Sequence, residues 1–81
     1  MNKIDKLNFD SVPSLWDKRE DLFKENTVDL KDISSIDVSG MALLVKWAKA
    51  QKDQKLHLIN VPVSAMNLIN TYRLGQLFVL D

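Results

Sequence analysis

Apolar and polar residues alternate one for one through Thr27, Val28, Asp29, Leu30 and Lys31, the period of a short strand with one buried side. After a polar bend holding Ile33 and Ile36, the period changes. Met41, Leu44, Val45 and Ala48 recur at the i, i+3, i+4, i+7 spacing of a helix. The central stretch is therefore a predicted strand, loop and helix, with Asp37-Val38-Ser39-Gly40 at the loop-to-helix junction.

The flanking segments obey the same logic. Ile4, Leu7 and Phe9 suggest a short first strand. Pro13 between Ser11 and Ser14 suits a helix start, because proline lacks an N–H that would be unpaired there. Leu15, Trp16, Leu22 and Phe23 then form an apolar stripe, and the charged run Asp17 to Glu25 reads as the solvated side of that helix. Lys55 to Asn60 is a predicted strand with Leu56 and Leu58 on its apolar side. Val61-Pro62 closes it and opens a helix whose core positions are Ala65, Leu68, Ile69 and Tyr72, with Gly75 as its left-handed cap. Leu77 to Leu80 completes the pattern as an edge strand. Alternation of strands and helices predicts an α/β fold with a mostly parallel sheet of about four strands, since parallel neighbours need helical crossovers.

The junction carries the candidate chemistry. Asp37 and Ser39 are both short polar residues able to accept hydrogen bonds from the unpaired N–H groups that open a helix. Gly40, without a Cβ, permits close approach of another backbone or of a ligand. A phosphate, a carboxylate or a partner's backbone would suit this point.

Composition narrows the function classes. The chain has 81 residues, 46% of them hydrophobic, enough for one domain spanning residues 1–81 with a thin core. Eleven basic and eleven acidic residues give zero formal charge, so the field that attracts nucleic acid or anionic lipid is missing. The absence of cysteine removes thiolate chemistry and disulfides. The lone His57 argues against a transition-metal site, and no cofactor is expected. No phosphate-binding glycine loop is present, and Ser39, His57 and Asp37 lack the setting of a hydrolase triad. The N-terminus does not read as a signal peptide, and the longest apolar run, Met41 to Val45, is too short to span a membrane, so a cytoplasmic location is expected.

The segment I-D-V-S-G-M-A-L-L-V from Ile36 to Val45 resembles the signature loop and following helix of the STAS domain (sulfate transporter and anti-sigma factor antagonist). L-W-D-K-R-E at Leu15 to Glu20, V-D-L at Val28 to Leu30 and N-T-Y-R-L at Asn70 to Leu74 are similar to its MlaB-like branch, in the same order. This resemblance implies a non-catalytic accessory subunit that docks on an ABC ATPase (MlaF-like) and, through it, on a permease that moves phospholipid and maintains outer-membrane lipid asymmetry in a Gram-negative envelope. The family normally has a further N-terminal strand. Only about eight residues are left for that part here, so the resemblance implies either an open sheet edge or residues missing upstream of Met1.

The expected contact residues are Trp16, Val38, Ser39, Gly40, Leu43 and Trp47. Val38 stands where MlaB-like proteins usually carry a threonine or serine, which makes the contact more apolar. Ser39 occupies the position that is phosphorylated in anti-sigma factor antagonists, a competing function; the simpler expectation is that it caps the helix. Asp37 is expected to hold the loop through backbone N–H groups. Leu43, Trp47 and Ala50 fall on nearly the opposite side of the helix from the Met41-Leu44-Val45-Ala48 stripe, so they face either a neighbouring helix or a partner. Trp16 combines a place at the stripe's edge with the side chain most favoured at interface hot spots.

Overall fold

The computed structural model describes residues 4–52 and 55–80. In chain order the elements are β1 (Lys6–Leu7), α1 (Val12–Asp17), α2 (Arg19–Leu22), β2 (Thr27–Asp29), β3 (Ser35–Ile36), α3 (Val38–Ala50), β4 (Leu56–Ile59), α4 (Val63–Thr71), a 3-10 turn (Gly75–Leu77) and β5 (Phe78–Leu80). All strand pairs are parallel. The order β2-β4-β5 forms one sheet and β1-β3 a separate pair.

The expected α/β architecture is present, with β5 at a sheet edge, but the sheet differs from the expectation in one respect. Five strands in two sheets replace about four in one, because β3 lies inside what reads as a polar bend. Two residues carry no detectable period; β3 exists because β1 lies beside it, with Ser34 N–H bonded to Asp5 O at 2.8 Å and Asp37 N–H to Leu7 O at 3.0 Å. Register alternation buries Val28, Leu56, Leu58 and Phe78 on the helix-covered side, while Thr27, His57 and Val79, aligned across three strands, are half-buried. Asn60 leaves β4 in the left-handed region (φ 54°), and its amide reaches Asp29 at 3.0 Å. That bond, followed by the Lys31 N–H, lowers the Asp29 carboxyl below its ordinary value.

The first helix is broken at Lys18 (φ −97°, ψ 9°), whose N–H bonds Leu15 O in a tightened turn. Leu22 enters the core below the break, while Trp16 stays 38% exposed above it. At the other end of the chain Gly75 is not a left-handed cap. The residue in that conformation is Arg73 (φ 54°), with Leu74 N–H bonded to Ile69 O at 2.9 Å and Arg73 N–H to Asn70 O at 3.2 Å. This is the two-bond Schellman ending, with arginine where glycine is favoured. Tyr72, expected in the core, lies just past the last helical residue and is 51% exposed; α-helical spacing no longer governs its direction.

The helix α3 sits at the centre, contacting α1, α4, β1 and β3. Its buried residues are Gly40, Met41, Leu43, Leu44 and Trp47, while Val45 and Ala48 are only half-buried. The buried face is thus rotated from the expected stripe toward Leu43 and Trp47. Both faces looked apolar in sequence, and the larger ring takes the interior because burying it removes more apolar area from water. Trp47 is 1% exposed, its indole N–H donates to Glu25 O at 2.9 Å, and Phe23 packs on it with ring centroids 5.5 Å apart.

Candidate functional site

The loop into α3 is held by Asp37. It is the N-cap, in extended conformation, and its Oδ1 accepts the Gly40 N–H at 3.0 Å. Its Oδ2 accepts the Phe9 N–H at 2.9 Å, so one carboxylate ties the α3 start to the segment after β1. Hydrogen bonds from Gly40 first and Phe9 second hold the Asp37 carboxyl below its ordinary value, since both favour the charged form. The Asp37 side chain is therefore structural, and both its oxygens are committed to backbone.

Gly40 is buried against β1. A Cβ there would overlap the carbonyl of Leu7 and stand 2.7 Å from the Leu7 Cβ. The close approach that glycine permits is made by this chain's own backbone, and no surface is left at Gly40 for a ligand or a partner. Leu43 and Trp47, 2% and 1% exposed, are likewise internal. The expectation that Gly40, Leu43 and Trp47 meet a partner directly is corrected: their surface is already spent on the core, and Leu43 reaches only the floor of a groove.

Ser39 does not cap the helix, since Asp37 does and Ser39 already has helical conformation. Its side chain is half-buried, makes no hydrogen bond among the described residues, and lines a groove of about 230 Å³ together with Val12, Trp16, Ala42 and Lys46. Beyond Ala42, on the other side of α3, lies a second apolar groove of about 300 Å³, formed with Val38, Met41, Val45, Tyr72 and Leu74. Ala42 and its neighbours thus form a low ridge between two troughs, one toward α1 and one toward the end of α4. Around them stand Trp16 at 38%, Val38 at 52% and Tyr72 at 51% exposure, three large apolar side chains.

Trp16 is held in place from two sides. The Arg19 guanidinium lies 4.4 Å from its ring centroid and also donates to Trp16 O at 3.0 Å, while Phe23 meets the ring edge-on at 6.2 Å. Through Phe23 the exposed indole leans on the buried one of Trp47. A wide aromatic ring so restrained loses little freedom on contact with a partner.

His57 lies in β4, paired with Thr27 and Val79, and no cluster suited to a metal ion occurs among the described residues. Apolar troughs beside a restrained indole can bind apolar side chains.

The family model described as "Mlab, STAS domain" matches residues 5–80. This chain belongs to the STAS family. Comparison with curated proteins and with solved structures returns no match. In this STAS domain the D-V-S-G segment builds the N-terminal end of α3, so the family signature and the paired grooves coincide. No helix among its described residues is long and apolar enough to cross a membrane.

Of the residues expected at a contact, Trp16 and Ser39 line one groove and Val38 the other; Ala42, Lys46 and Tyr72, which sequence reasoning did not name, line them too. Ala42 and Lys46 would follow from choosing the Gly40-Leu43-Leu44-Trp47 stripe as the core, because both then fall on the outward arc. Tyr72 leaves no such signal.

Proposed function

We propose that this protein is a non-catalytic, MlaB-like accessory subunit, cytoplasmic, that docks through the two-groove face of α3 onto an MlaF-like ABC ATPase and, through it, a permease of a phospholipid transporter maintaining outer-membrane asymmetry. The observation that carries this reading is the clustering of Trp16, Val38 and Tyr72 around grooves on both sides of Ala42, directly after the family's signature loop. Three of the six exposed large apolar side chains among the described residues stand together here, Phe9, Val63 and Leu80 lining neither groove, and such a cluster is the mark of a contact surface. Valine at position 38 suits a partner surface that is apolar there. Regulation would follow from preferential binding to one state of the ATPase, which raises that state's population.

The direct test is co-expression with an MlaF-like ATPase and its permease from the same organism, followed by affinity purification. A stoichiometric complex that is lost on Ala42→Trp, with the variant's melting temperature unchanged, is the expected result. A complex indifferent to a tryptophan on the ridge overturns the docking face.

A second reading has its own support. Ser39 has an uncommitted hydroxyl in the first turn of α3, where the helix dipole favours an added phosphate of roughly −2 charge. An anti-sigma factor antagonist switched at Ser39 would be stoichiometrically phosphorylated by its partner kinase with ATP. Failure to gain mass under those conditions removes this alternative.

A further inference from the structure

The outward arc of α3 changes character along its length. Val38 and Ala42 at its N-terminal end are apolar and exposed, whereas Lys46 and Lys49, one and two turns further on, are exposed and basic. The helix contains no acidic residue, and α4 contains no charged residue at all. Among the groove-lining residues the one charged side chain is Lys46. Lys49 lies in the last turn, where the helix dipole by itself favours a cation. Lys46 precedes that turn, beside the groove that holds Trp16, so its position is tied to the site rather than to the helix end.

We propose that the occupant of this face is a helix of the ATPase subunit carrying apolar side chains at one end and carboxylates at the other, its apolar residues set on both sides of Ala42 and its carboxylates facing Lys46 and Lys49. The proposal rests on the docking reading above and adds the chemistry and polarity of the partner segment. Small Ala42 lets a helix axis approach closely, and each flanking groove is large enough for one bulky side chain. A second copy of this chain fits poorly. A two-fold contact centred on Ala42 runs the two α3 helices antiparallel and sets each Lys46 against the other copy's apolar Val38, while the Asp37 carboxylate at that end already has both oxygens on backbone N–H groups.

Affinity of the purified protein for the purified ATPase subunit, measured by calorimetry across a salt series, tests this. For the Lys46→Glu, Lys49→Glu double variant the expected result is a Kd weakened at least about ten-fold at low salt, a salt dependence of opposite sign, and recovery on reversing carboxylates in the ATPase helix. If Ala42→Trp abolishes binding while the double lysine variant binds as wild type at every salt concentration, the docking reading stands and the acidic occupant is wrong. If neither change affects binding, or no binding occurs, the docking reading itself falls and takes this inference with it. Sedimentation showing a dimer that Ala42→Trp disrupts would assign the face to a second copy and overturn the proposal.

Discussion

Replacing Gly40 by alanine adds a single methyl group at the point where α3 presses hardest on β1. That methyl has no room, because the obstacles are the Leu7 carbonyl and Cβ, and backbone cannot rotate aside as a flexible side chain would. The same Leu7 oxygen accepts the Asp37 N–H at 3.0 Å, so moving β1 away also weakens the bond that closes the β1-β3 pair and positions the α3 cap. Overpacking of this kind costs about 1–3 kcal/mol and the lost hydrogen bond about 1 kcal/mol. Alanine's better helix propensity returns about 1 kcal/mol. A net loss of about 1–3 kcal/mol is a large share of what a domain of this size possesses, and corresponds to a fall in Tm of roughly 4–24 °C. Thermal unfolding followed by circular dichroism measures it directly. A Tm within about 3 °C of wild type would mean that β1 does not stand against α3, and the account of the β1-β3 pair would fail with it.

Three other outcomes follow from the same contacts. Arg73→Gly should raise Tm by about 4–8 °C, because a non-glycine residue in the left-handed conformation costs about 1 kcal/mol; a decrease would show that the arginine side chain contributes something the Schellman ending does not require. Since the Asp37 carboxyl is held below its ordinary value of 3.8, its stabilising effect is complete above that pH and disappears as pH falls through the lower folded value, so Asp37→Asn should lower Tm at neutral pH and flatten the acid limb of the stability curve. An acid limb of unchanged slope would dismiss the carboxylate's role. Trp16→Ala should cost the isolated domain about 2 kcal/mol, from the edge contact with Phe23 and the Arg19 guanidinium over the ring, yet weaken ATPase binding by about 3 kcal/mol or more; equal losses in calorimetry and melting would make Trp16 a core residue.

The order of elements is written in the chain because a change between a period of two and a period of 3.6 is a local property. So is the site's location: Asp37, with its short carboxylate before an apolar helical run, announces the start of α3, and the stretch from Ile36 to Val45 announces the family. Other features depend on what the chain meets after folding. Strand β3 is two residues long and exists because β1 lies beside it. Gly40 is reserved for β1 and not for a ligand, which only the position of the Leu7 carbonyl reveals. Trp47 and Leu43 are inside while Val38 and Ala42 are outside because α3 is apolar on nearly all sides, so periodicity left its rotation undetermined until Phe23 and Glu25 received the indole. A helix with two greasy faces can bury only the one its own neighbours cover, and tertiary packing decided which face stayed open to solvent.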